Sequence, residues 1–160
     1  MSFRIGFGYD VHRLEEGIPF WLGGIEILHH KGALGHSDAD VLTHAICDAM
    51  LGAAALGDIG THFPDTDKSY KGISSMVLLQ KCMELIRSEG YEIGNIDSTI
   101  CLQTPKIMPY IKQMREQIAG QLGIKDSQVS VKATTEEGLG FTGKEEGVSA
   151  SAVVLLKASP

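Results

Sequence analysis

Apolar positions recur along this chain with a period of two in some stretches and with the helical period in others, and the switches between them outline a fold. Residues from about Arg4 to His12 alternate as a strand, with Gly6 and Gly8 marking a bulge or a close backbone approach. Two short apolar runs, Pro19 to Leu22 and Ile25 to Leu28, flank Gly23-Gly24 and predict a hairpin. Lys31 to Ser37 reads as a loop. From Asp38 to about Ala55 a helical stripe of Leu42, Ala45, Ile46, Ala49 and Ala53 takes over, with Ser37 or Asp38 available as its cap. Asp40, His44 and Asp48 recur one turn apart and share another face of that helix.

Turn formers crowd Gly57 to Asp67, a length more typical of functional loops than of connectors. A second helix is expected from about Ile73 to Glu89, ended by Gly90, and a strand from Ile93 to Gln103. A third helix begins near Pro109 and carries Ile111, Met114, Ile118 and Leu122 inward. Strands Val129 to Thr134 and Val148 to Leu156 close the pattern. Strands interleaved with helices after an early hairpin predict an α/β (α+β sandwich) architecture, with residues 1–160 forming a single domain.

Composition narrows the function classes. An apolar fraction of 43% and a charged fraction of 21% are those of an ordinary globular protein. A net charge of -6 argues against a broad nucleic-acid surface, so a phosphorylated ligand would be held locally. Cys47, Cys82 and Cys101 lack paired metal-ligand spacing and read as buried free thiols suited to a reducing compartment. No apolar stretch reaches transmembrane length, and the N-terminus enters strand-like sequence directly. A cytoplasmic location is the expectation, with a bacterial source simpler than a plastid one.

Four strings carry chemistry. Asp10 and His12, two apart on a strand, point to one face, and His44 on the helix could complete an Asp/His/His set. Three protein ligands with one open position is the arrangement of catalytic zinc. Asp40 or Asp48 is the expected carboxylate partner for the distal ring nitrogen of His44; the plainer alternative is a histidine on a charged helix face. His36-Ser37, before the helix, suits an anion or a simple cap. In Lys132 to Gly143, threonine hydroxyls, glycine-freed amides and acids suit phosphate oxygens and a hard divalent cation, though a polar capping loop would use the same residues. The turn Gln103 to Pro109, braced by two prolines, could present backbone groups to a base edge or merely punctuate the chain.

Taken in order, Gly8-Tyr9-Asp10-Val11-His12, His36-Ser37-Asp38-Ala39-Asp40, Gly57-Asp58-Ile59-Gly60, Phe63-Pro64-Asp65-Thr66-Asp67, Pro105-Lys106, Lys132-Ala133-Thr134-Thr135 and Leu139-Gly140-Phe141-Thr142-Gly143 closely resemble the 2-C-methyl-D-erythritol 2,4-cyclodiphosphate synthase family. The resemblance runs from about Arg4 to Leu156. It implies a lyase of the non-mevalonate route of isoprene biosynthesis, which cyclises 4-diphosphocytidyl-2-C-methyl-D-erythritol 2-phosphate and releases CMP. It further implies a mixed four-stranded sheet with helices packed on one face, and a homotrimer with active sites between subunits. One zinc per subunit would be held by Asp10, His12 and His44, and magnesium or manganese by Glu137. His36 and Ser37 would meet the phosphate and erythritol portions, Asp65 the erythritol hydroxyls, and Asp58 and Gly60 the ribose. Pro105, Lys106, Ile107, Met108, Ala133 and Thr134 would form the cytidine pocket, with Thr135 on a phosphate.

Glu136 stands where the family frequently has a threonine, Gly138 where some members have a lysine, and Lys144 where several have an arginine; Lys144 keeps charge without the planar fork. Two rival readings of the same residues are a zinc hydrolase that activates water and a non-catalytic metal- or isoprenoid-binding trimer. The nucleotide-side strings favour the synthase over both.

Overall fold

The computed structural model describes residues 3–159. Its strands are β1 (Phe3–Glu16), β2 (Phe20–Leu22), β3 (Ile25–Ile27), β4 (Lys31–Leu34), β5 (Tyr91–Cys101), β6 (Val129–Thr134) and β7 (Gly147–Ala158). Its α-helices are α1 (Val41–Ala53), α2 (Ile59–His62), α3 (Ser75–Ser88), α4 (Ile111–Leu122) and α5 (Gly140–Gly143). Short 3-10 turns lie at Lys68–Tyr70, Met108–Tyr110 and Asp126–Gln128.

The main sheet runs β4-β1-β7-β5-β6. β1 is antiparallel to β4 and β7, β7 is antiparallel to β5, and β5 is parallel to β6, so the sheet is mixed. The four strands β1, β7, β5 and β6 match the expected sheet, and β4 adds a fifth where a loop was expected. The reason is pairing rather than local pattern: β1 continues past His12 to Glu16, and the chain returns along that extension, with Arg13 opposite Leu34 and Glu16 opposite Lys31. The β2–β3 hairpin turns on Gly23 and Gly24, both at positive φ (57° and 75°), which glycine adopts without steric cost.

Helices cover one face of the sheet. α1 packs on β1 and β7, α4 on β6, and α3 on α1 and β5. Leu42, Ile46, Met50, Leu79, Ile86, Ile96, Ile100 and Met114 fill the space between them, each fully buried. α1 is buried nearly all round, Thr43 and His44 included, rather than keeping a solvent face. Its cap is Asp40, whose carboxylate accepts from Thr43 N at 3.0 Å, in place of Ser37 or Asp38.

Among the described residues, α1, α3 and α4 leave the opposite sheet face uncovered along β1. There the odd-numbered residues of β1 stay open to solvent: Ile5 is 73% and Phe7 65% exposed, with Phe3, Tyr9, Val11 and Val153 alongside. A contiguous apolar strip of this kind marks an interaction surface.

Candidate functional site

The even-numbered residues of β1 face the helices. Gly6 and Gly8 lie directly against α1, where a Cβ on Gly8 would stand 1.9 Å from the Ala45 carbonyl oxygen. Strand and helix therefore meet at backbone distance. Asp10 and His12, next on the same face, come up against His44, one residue before Ala45.

The donor atoms converge. Asp10 Oδ2 is 2.9 Å from His12 Nε2 and 3.0 Å from His44 Nδ1, and the two ring nitrogens are 3.3 Å apart. Among the described residues this is the group of acidic, histidine and cysteine side chains able to hold a metal ion. A tetrahedral ion with bonds of about 2.0–2.1 Å holds its ligands roughly 3.3 Å apart, close to these separations. Hydrogen bonding aligns the lone pairs as well. His12 Nδ1 lies 3.0 Å from the Leu34 carbonyl, to which it donates, so that with an ion in place of the Nε2 proton the ring would present its Nε2 lone pair to the cluster. On the other side of His44, Nε2 lies 2.8 Å from Ser75 Oγ and 3.2 Å from Ser37 Oγ.

Electrostatics follows from this packing. Burial pushes the Asp10 carboxyl up, but hydrogen bonds from His12 and His44 and their charges outweigh it and bring the pKa to about 2. Burial works against the charged form of His44, yet the Asp10 hydrogen bond and charge, with Asp40 and Asp38 behind, raise its pKa overall.

Neither Asp40 nor Asp48 is the ring partner of His44. Asp40, fully buried, accepts from Gly23 N at 2.9 Å, Gly24 N at 2.7 Å and Thr43 N at 3.0 Å, tying the hairpin to the start of α1. Burial, its largest influence, lifts the Asp40 carboxyl above its ordinary value despite these amides. Asp48 accepts from Ile59 N at 2.8 Å and anchors α2. A spacing of four puts these carboxylates on the histidine's side of the helix, but backbone amides of neighbouring segments take them. The partner of the distal nitrogen is Ser75, which the sequence reading missed; its only signal was a serine pair in the first turn of an expected helix.

A cleft of about 200 Å³ opens over the cluster. It brings Asp10, His12 and His44 together with His36, Ser37, Gly60 and Asp65, against an apolar wall that includes Phe63, Tyr70 and Leu78. His36 Nε2 is buried without a hydrogen-bond partner. Asp58 sits beside the cleft as the cap of α2, accepting from Thr61 N at 2.9 Å and Thr61 Oγ1 at 2.8 Å. Tyr70 is a wall residue that the sequence reading also missed.

The remaining predicted residues form a second group elsewhere. Parallel pairing sets Cys101 beside Thr134, so the loops that follow β5 and β6 are neighbours. Leu102 N donates to Thr134 O at 3.0 Å and Gly138 N to Gln103 Oε1 at 3.4 Å. Pro105 (after a cis peptide bond), Lys106, buried Ile107 and exposed Met108 thus lie near Ala133, Thr134, Thr135 and Glu137. One row crosses the sheet through Val11, Ser149, Cys101 and Thr134. Three strand spacings, roughly 14 Å, separate its ends. Because side chains alternate, Thr134 projects on the open face with Val11, whereas Asp10 and His12 project on the helix face. Within one chain the two groups do not share a pocket.

The YgbB family model matches residues 3–157. The chain is 61% identical over 157 residues to the 2-C-methyl-D-erythritol 2,4-cyclodiphosphate synthase of Porphyromonas gingivalis, covering 98% of this chain and 97% of that protein. It is 60% identical over 154 residues to the enzyme of the same name from Syntrophomonas wolfei, covering 96% and 98%. Among solved structures it is similar to the bifunctional IspDF of Campylobacter jejuni, with a TM-score of 0.95 and 42% identity over 98% of this chain and 42% of that one. It is also similar to Plasmodium falciparum IspF in complex with CDP, with a TM-score of 0.87 and 36% identity over 99% and 98%.

Proposed function

This chain belongs to the YgbB family of 2-C-methyl-D-erythritol 2,4-cyclodiphosphate synthases, and we propose that it performs the family's reaction at the Asp10, His12 and His44 cluster, with the nucleotide side supplied by a neighbouring copy. The activity is that of a cyclising phosphorus–oxygen lyase in isoprenoid biosynthesis. It converts 4-diphosphocytidyl-2-C-methyl-D-erythritol 2-phosphate to 2-C-methyl-D-erythritol 2,4-cyclodiphosphate and CMP. The whole of residues 1–160 serves as one synthase domain.

The convergence of one carboxylate oxygen and two imidazole nitrogens inside the cleft lined by His36, Ser37 and Asp65 carries this reading. Asp10, His12 and His44 would hold one zinc per subunit, and Glu137 a magnesium or manganese ion. Bound there, the ions supply Lewis acidity and offset charge on the transferring group. The protein's own task is to bring anionic groups together in line. The 2-phosphate is already anionic near neutral pH, so no general base is required for its attack on the β-phosphorus. His36 and Ser37 bind the phosphate and erythritol portions, the unpartnered His36 Nε2 supplying a hydrogen bond, and Asp65 holds the erythritol hydroxyls. Asp58 and Gly60 meet the ribose. Thr135 positions a phosphate oxygen, while Pro105, Lys106, Ile107, Met108, Ala133 and Thr134 enclose the cytosine.

A homotrimer with sites between subunits resolves the separation of the two groups. A cleft of about 200 Å³ is smaller than the 300–1,000 Å³ usual for whole-ligand pockets. The apolar strip of Ile5, Phe7 and Tyr9 lies on the same open face as Thr134, so packing copies through that face would bring one copy's nucleotide loops to another's metal cluster. The buried free thiols of Cys47 and Cys82 suit a reducing, cytoplasmic setting. The test is CMP release from the diphosphocytidyl substrate by zinc- and magnesium-loaded protein. Asp10→Asn, with the fold retained, is expected to abolish release; undiminished release in that variant would overturn the assignment.

A further inference from the structure

We infer that Ser75, oriented by Asp38, is a positioning residue that fixes the tautomer and ring orientation of His44, an inference that rests on the metal-centre reading above. His44 turns Nδ1 toward Asp10 Oδ2 at 3.0 Å and His12 Nε2 at 3.3 Å. An imidazole that offers a lone pair from Nδ1 carries its proton on Nε2. Ser75 Oγ, 2.8 Å from Nε2, accepts that proton's hydrogen bond. The hydroxyl then has its own hydrogen to give, and it donates to Asp38 Oδ1. Each link has one direction: the ring N–H to the hydroxyl, and the hydroxyl to a carboxylate that can only accept.

Asp38 holds Ser75 at two points. Its Oδ2 accepts the Ser75 backbone N–H at 2.9 Å while Oδ1 takes the hydroxyl. Asp38 is itself fixed, its N–H donating to the Ile73 carbonyl at 3.2 Å and its Oδ1 accepting from Asp40 N at 3.2 Å. Ser75 is fully buried, so water does not compete for the ring. Ser37 Oγ, at 3.2 Å from Nε2, is a longer contact and already accepts from Ala39 N. The two histidines therefore have different orienting groups, a backbone carbonyl for His12 and a hydroxyl–carboxylate pair for His44. A negative group behind a metal-bound imidazole strengthens it as a ligand.

Ser75→Ala removes the hydroxyl alone. The Ser75 amide still reaches Asp38, and the α3 cap, Ser74 accepting from Met76 N, is untouched. Zinc affinity of the full chain is measured by chelator competition, the cobalt(II) ligand-field spectrum is recorded, and the thermal midpoint of the metal-free protein is the control. Ser75→Ala is expected to lose roughly 10- to 100-fold in zinc affinity and to shift the cobalt bands, while the metal-free midpoint falls only by the few degrees that a lost buried hydrogen bond costs. Ser75→Thr, which restores a hydroxyl, is expected to recover both readouts. Parental zinc affinity in Ser75→Ala overturns the inference, as does a threonine variant no better than alanine, or a fall in the metal-free midpoint with an unshifted cobalt spectrum. A parent protein without zinc affinity would overturn the metal-centre reading itself, and the inference with it.

Discussion

Gly8 lies against Ala45 so closely that a Cβ on the glycine would stand 1.9 Å from the alanine carbonyl oxygen and 2.7 Å from Ala49 N. This contact sets the distance between β1 and α1, and that distance lets Asp10 reach His44 at 3.0 Å. Gly8→Ala must push helix and strand apart. Overpacking of this kind costs roughly 1–3 kcal/mol, more where backbone is the obstacle. Denaturant unfolding should report that loss, and chelator competition on the folded variant should report weaker zinc binding. A variant as stable as the parent, with the same zinc affinity, would mean that the close approach does not position the cluster.

Asp40 serves the fold through its hydrogen bonds and reaches His44 only through its charge. Three backbone amides point at its buried carboxylate, and Asp40→Ala leaves Gly23, Gly24 and Thr43 without that acceptor. Loss of a cap together with unpaired buried amides should cost about 2–4 kcal/mol. Zinc affinity of the protein that still folds should change much less than in Ser75→Ala. The comparison is made with unfolding curves and zinc titrations on both variants.

The open sheet face is expected to join copies of the chain. Phe7, 65% exposed, stands in the middle of the apolar strip, and Phe7→Glu places a charge there. Light scattering should find the parent at three chains and the variant at one. Because the nucleotide loops come from a neighbour in this account, the variant should also lose turnover while each chain keeps its zinc. An active monomer would contradict the shared site.

The exposed pair Asp97 and Lys132 sets a pH dependence of known sign. A hydrogen bond from Lys132 Nζ at 2.8 Å is the main cause holding the Asp97 carboxyl below its ordinary 3.8. With a lowered folded-state pKa, the unfolded chain binds more protons in this window. The contribution is thus complete above about 3.8 and disappears as pH falls through the folded value. Both side chains are about half exposed, which limits it to well under 1 kcal/mol, on the order of a few tenths. Lys132→Met should move the acid limb of the stability curve slightly. Since the ammonium is already engaged with Asp97, catalytic efficiency should change little, which steady-state kinetics would check.

Local pattern made some elements legible and not others. β6 has the expected bounds because Val129 and Val131 alternate inward between clear breaks, and the hairpin is legible because Gly23-Gly24 requires positive φ. β4 was not, since Lys31–Leu34 is a strand only by virtue of its partner, the far end of β1. The convergence of Asp10, His12 and His44, a group able to hold a metal ion, was readable from the spacing of Asp10 and His12 and a histidine on the following helix. The serine behind that histidine was not, because Ser75 comes from a helix 31 residues further along the chain. Nor does any pattern in the strings disclose that Thr134 and Asp10 occupy opposite sheet faces. That follows only from the register linking Val11, Ser149, Cys101 and Thr134.

The most direct measurement of the central claim is phosphorus NMR of the zinc- and magnesium-loaded protein turning over 4-diphosphocytidyl-2-C-methyl-D-erythritol 2-phosphate in heavy-oxygen water. Intramolecular transfer predicts equal amounts of CMP and cyclic diphosphate, neither carrying solvent oxygen. A ring-open product labelled from water would contradict it and assign the Asp10, His12 and His44 cluster to hydrolysis instead.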